Sequence, residues 1–132
     1  MTSIAGLGPF LAYLAVALGL VAVYLAVYLQ ATGHREIALI RRNNLAAAIA
    51  LGGSLVGYTL PLAVSIHNAQ SILDCIVWGL VALIVQVTVY LATRLLLPDL
   101  SRRIEAGETA AATLLAASSL AAGILDAAAM TY

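Results

Sequence analysis

The stretch FLAYLAVALGLVAVYLAVYL, residues 10–29, contains no charged residue and no proline. At 1.5 Å per residue a helix of this length spans about 30 Å, the thickness of bilayer hydrocarbon. Backbone groups in hydrocarbon must bond within their own segment, which dictates a helix. The run does not alternate apolar and polar residues, as a strand of a membrane barrel would. The preceding MTSIAGLGP has no Lys or Arg, so a cleaved signal peptide is not expected.

Three further apolar runs follow, at about 45–66, 72–93 and 109–130. The chain has 132 residues, of which 64% are hydrophobic and 9% charged, with no net charge. Soluble domains average roughly 25% charged residues, so most of this surface meets lipid. The expected fold is an all-α membrane protein, a single domain over 1–132 with four transmembrane helices. Its two longer loops fall at about 30–44 and 94–108.

Charge is confined to few places. All six basic residues are arginines, and Arg35, Arg41 and Arg42 follow the first run while Arg94, Arg102 and Arg103 follow the third. Arginine-rich loops stay in the cytoplasm. These six residues therefore act as topology anchors, and both termini are expected in the periplasm. The same arginines could also meet anionic lipid. Phe10, Tyr13, Trp78 and Tyr132 then fall toward the outer side and Tyr24, Tyr28 and Tyr90 toward the inner, as interfacial aromatic belts do. Each loop is expected to hold a short amphipathic helix, with Ile37 and Ile40 in one and Leu100 and Ile104 in the other.

The two halves resemble each other. NLAAAIALGGSL from Asn44 lies over ETAAATLLAASS from Glu108, while GLVA and VYL recur in the first and third runs and RR in both loops. Two tandem two-helix repeats are expected, related by an axis along the membrane normal.

Helices associate in lipid through small residues. Gly53 and Gly57 form a GxxxG in the second run, and Ser119, Gly123 and Ala127 recur at spacing four in the last. These are the expected helix-packing residues, within the chain or between copies. Four positions form a possible polar site. Pro61 lacks an N–H and clashes with the carbonyl of Gly57, next to the Tyr58 hydroxyl. Asp74 completes the capping pattern Ser71-Ile72-Leu73-Asp74. Asp126 sits late in the last run with Ser118 and Ala122 on its face, where burial and the helix dipole both disfavour an anion. Intramembrane acids are functional candidates. Cys75 is the only cysteine, so no intrachain disulfide forms, and no Cys/His spacing suggests a metal. A haem-anchoring bundle would need paired histidines, but His34 and His67 fall at opposite faces. Among the polar residues there is no nucleophile–base pair, so an enzyme is not expected.

The strings RRNNLAAAIALGGSLVGYTLPL, HNAQSILDCIVWG and DAAAMTY resemble the YjfL-type small inner-membrane proteins of the domain-of-unknown-function 350 (UPF0719) family, over essentially the whole chain. The resemblance implies a four-helix, multi-pass protein of the bacterial inner membrane, set among membrane-stress proteins and with no cofactor. Two functions are therefore carried forward. One is a non-enzymatic component of envelope maintenance that oligomerises or binds membrane-stress partners. The other is a small oligomeric channel or transporter. The expected partners are the lipid bilayer, further copies of the chain and such stress proteins, not nucleic acid.

Overall fold

The computed structural model describes residues 4–32 and 36–130. A 3-10 turn at Ile4–Gly6 leads into α1 (Leu7–Ala31), followed by α2 (Glu36–Arg41), α3 (Leu45–Asn68), α4 (Ile72–Leu96), α5 (Leu100–Glu105) and α6 (Thr109–Ala129). The helices α1, α3, α4 and α6 are long and apolar enough to cross a membrane. Because α4 runs on to Leu96, Arg94 lies in its last turn and not in a loop. A cation is favoured there by the helix dipole.

Local chemistry sets the ends. Asn44 caps α3 by accepting from the Ala47 N–H at 3.0 Å, and Ser71 caps α4 by accepting from Asp74 N–H at 3.1 Å. The Asp74 carboxylate in turn accepts from the Gln70 N–H at 3.2 Å, which gives that acid a structural task. Pro98 follows the end of α4, where it restricts Leu97 to a non-helical conformation. The turns before α3 and α6 are alike. Asn43 and Gly107 have φ of 65° and 83°, the left-handed conformation that closes a helix. Asn43 N–H bonds Ile40 O and Asn44 N–H bonds Leu39 O; 64 residues on, Gly107 N–H bonds Ile104 O and Glu108 N–H bonds Arg103 O.

The long helices pack as two parallel pairs. Between α3 and α6, Asn44 Nδ2 donates to Ile104 O at 3.2 Å at one end, and Asn68 Nδ2 donates to Met130 O at 3.4 Å at the other. Between α1 and α4, Leu20 meets Gly79 and Tyr28 meets Tyr90. The α3–α6 seam is the closest. A Cβ on Gly53 would collide with the backbone and side chain of Ala116, one on Gly57 with the carbonyl of Ser119, and one on Gly123 with the carbonyl of Gly57. Ser54 Oγ and Ser119 Oγ stand 3.5 Å apart within this seam. Small residues allow such approach, and close approach replaces the hydrophobic drive that lipid does not supply.

Both expected short helices form: in α5 Leu100 and Ile104 are fully buried with arginines between them, and in α2 Ile40 packs against the core while Ile37 is exposed and Glu36 buried. The expectation that changes concerns the aromatics. Tyr24, Tyr28 and Tyr90 do not form an interfacial belt; all three are about 1% exposed and sit inside the bundle with Tyr58. Ring-on-ring packing gives them more contact area there than an interface would.

Candidate functional site: a buried polar cluster

Helical spacing brings the cluster together. On α1 the buried row is Ala17, Leu20, Tyr24 and Tyr28; on α4 it is Gly79, Ala82, Gln86, Tyr90 and Thr93. Between them stands the face of α3 that carries Ser54 and Tyr58. Tyr24 stacks on Tyr58 with centroids 4.4 Å apart and planes at 7°. Tyr28 lies 5.9 Å from Tyr24 and meets Tyr90 edge-on at 5.5 Å.

Hydrogen bonds tie α4 to α3. Tyr58 Oη donates to Gly79 O at 3.0 Å, and Ser65 Oγ donates to Cys75 O at 3.2 Å. The most informative bond begins at Pro61. Lacking an N–H, Pro61 leaves the carbonyl of Gly57 without its helical donor. Gln86 Nε2 supplies one from α4, at 3.1 Å. The proline thus frees an acceptor inside the membrane, and a buried glutamine on the neighbouring helix satisfies it.

Other polar atoms in the cluster are not satisfied. Tyr28 Oη, Tyr90 Oη and Gln86 Oε1 are buried with no hydrogen-bonding partner among the described residues. Ser54 lies close enough to interact with Tyr24 and Tyr28, and the carboxylate of Glu36, itself 1% exposed, is within electrostatic range of both rings. An unsatisfied buried donor or acceptor costs about 1–3 kcal/mol. Gln86 and Tyr90 stand on neighbouring turns of α4 and the Tyr28 ring of α1 packs against Tyr90, so the three side chains form one buried polar group.

The sequence-derived residues separate into four places. Gly53, Gly57, Ser119 and Gly123 line the α3–α6 seam. Tyr58 and Pro61 join the buried cluster, whereas Asp74 stays at the start of α4 beside a cavity of about 20 Å³ lined also by Ser65, Asn68, Trp78 and Met130. Asp126 is half-buried near the end of α6, with one carboxylate oxygen unpartnered among the described residues. It does not meet the cluster. Arg41, Arg42, Arg94, Arg102 and Arg103 gather at one end of the bundle, and Arg35 lies outside the described residues. Arg103 pairs with Glu108 at 3.2 Å on the surface, where such a pair contributes about 0–1 kcal/mol. Arg94 and Arg102 border an open depression with Asp99 and Glu105.

The sequence reading missed Gln86, Tyr28, Tyr90, Tyr24, Ser54 and Glu36 as members of one site. A usable signal was present. Gln86 and Tyr90 are four residues apart, as are Tyr24 and Tyr28, and Pro61 announces a free carbonyl at Gly57.

Four membrane-length helices around an internal polar cluster, with arginines at one end, define a multi-pass membrane protein. The chain belongs to the DUF350 family, the Domain of Unknown Function whose profile matches residues 1–130. It is 41% identical over 123 residues to the UPF0719 inner membrane protein YjfL of Escherichia coli strain K12, covering 93% of each chain. It is equally similar to the protein of that name from Escherichia coli O157:H7. The chain is accordingly an inner-membrane protein. No solved structure matches it.

Proposed function

We propose that the protein is a small, non-enzymatic channel or transporter whose working site is the cluster of Tyr28, Gln86 and Tyr90. The observation that carries this reading is the set of three polar atoms inside the bundle that have no hydrogen-bonding partner among the described residues. Polar groups are retained within a membrane where they meet water, an ion or a polar solute. The test is permeation. Purified protein in liposomes should pass small polar probes faster than empty liposomes do. The double variant Tyr28→Phe/Tyr90→Phe keeps both rings and should lower the rate at least tenfold. Rates equal to those of empty liposomes would overturn the reading.

A second reading, assembly with further copies, is supported by a different face. Gly53 and Gly57 of α3 are occupied by α6 within the chain, but Ala110, Thr113, Ala117 and Ala121 of α6 are exposed. A helix with small residues outward admits another backbone closely. In a Cys75→Ser background, Ala117→Cys or Ala121→Cys should give disulfide-linked dimers in membranes under mild oxidation. Monomers at both positions would contradict this assembly. The setting is envelope maintenance beside membrane-stress proteins, as the family resemblance implies.

The matching turns at Asn43–Asn44 and Gly107–Glu108, and the order long helix, short helix, long helix in each half, support a tandem duplication. The clustering of arginines supports a cytoplasmic arginine end and periplasmic termini.

A further inference from the structure

Resting on the channel or transporter reading, we infer that the species held at Tyr28, Gln86 and Tyr90 is a small monovalent cation. The orientation of the Gln86 amide decides this. A carboxamide offers a donor end and an acceptor end, and its bonding partner fixes which way it faces. Here the partner is the Gly57 carbonyl, which can only accept, so the amide nitrogen must face it. The oxygen Oε1 is thereby presented on the other side, buried and unpartnered among the described residues. It is a fixed acceptor, and its fixity traces to Pro61.

The rest of the site has the same polarity. Tyr90 follows Gln86 by one turn on the same buried face of α4, and Tyr28 packs edge-on against Tyr90. Both phenol oxygens lack a hydrogen-bonding partner among the described residues, with Ser54 close to Tyr28, and can turn lone pairs toward a cation. The faces of Tyr24, Tyr28, Tyr58 and Tyr90 add the negative potential of aromatic rings. The Glu36 carboxylate lies within electrostatic range of Tyr24 and Tyr28. Among the described residues the spanning helices carry one arginine, Arg94, exposed one turn beyond Tyr90 in the last turn of α4, and one histidine, His67, at the other end of α3. Arg41 ends the short helix that Glu36 begins. An anion would face the fixed Gln86 oxygen and a carboxylate, with only the two phenol hydroxyls to donate to it.

The experiment measures permeability of the full-length protein in liposomes to potassium, sodium, protons, chloride and glycerol. Potassium, sodium or proton flux should exceed that of chloride and glycerol at least tenfold. Gln86→Leu should abolish the cation flux. Pro61→Ala, which returns a helical N–H to the Gly57 carbonyl and unpins the amide, should reduce the cation-over-chloride ratio severalfold. Both variants would be checked for helical content and monodispersity first, and the wild-type selectivity stands without them. Equal or greater flux of chloride or glycerol would overturn the cation assignment while leaving a permeation site. Flux of no probe would overturn the permeation reading and the assignment together.

Discussion

Gly57→Leu and Gly123→Leu should each prevent the native bundle from forming in good yield. The α3 and α6 backbones meet at these residues. A Cβ on Gly123 would fall on the carbonyl of Gly57, and one on Gly57 on the carbonyl of Ser119. Backbone cannot swing aside as a flexible side chain can, so the helices must separate along their whole seam. Separation would also pull Gly57 O away from Gln86 Nε2 and part Ser54 from Ser119. Overpacking alone typically costs 1–3 kcal/mol, and with the lost bonds the loss should reach about 3 kcal/mol or more, against a total stability of roughly 5–15 kcal/mol. Gly52→Leu is the control. Gly52 is exposed, with nothing within 4 Å of an added Cβ, and its substitution should change stability by less than about 0.5 kcal/mol. Reversible unfolding in mixed micelles, monitored by helical content, measures all three. Similar stabilities for Gly57→Leu and Gly52→Leu would remove the close seam from the account.

Reporter fusions should give an all-or-none pattern. A periplasm-active reporter placed after Tyr132 or within residues 67–71 should be active, and one placed within residues 36–42 or 98–107 should be silent. Moving an arginine through a helix centre costs about 2.5–3.5 kcal/mol, and the inverted arrangement would carry both arginine-bearing loops across. Ser71 and Asp74 already satisfy the start of α4 without basic residues, so nothing holds that loop inside. A silent reporter at the carboxyl terminus, with an active one at residues 98–107, would invert the proposed topology.

The apolar runs made the four long helices legible, because lipid leaves a long uncharged segment no other way to satisfy its backbone. The small residues at Gly53, Gly57, Ser119 and Gly123 were visible for a related reason. Close contact needs small side chains at helical spacing, and the structure joins α3 to α6 at these residues. The tyrosines could not be placed in the same way. A tyrosine near a helix end suits an interface or a core equally, and α1 is apolar on every face, so no periodicity marks which row turns inward. The Gln86–Gly57 bond depends on the register between α3 and α4, which local sequence does not encode. Pro61 identified the free carbonyl but not the side chain that reaches it. In α2, the spacing of Ile37 and Ile40 suggested an apolar face, and Ile40 does pack on the core; the burial of Glu36 was not legible.

The central claim is that a polar species enters the bundle at Tyr28 and Tyr90. Radiolytic hydroxyl labelling of the protein in bilayers, with products quantified by mass spectrometry, tests this directly, because a buried side chain is labelled only where water stands beside it. Tyr28 and Tyr90 should be labelled at rates well above that of Tyr58, which is equally buried and whose hydroxyl is satisfied by Gly79 O, and labelling should fall when potassium saturates the site. Tyr28 and Tyr90 protected to the level of Tyr58 would contradict the claim.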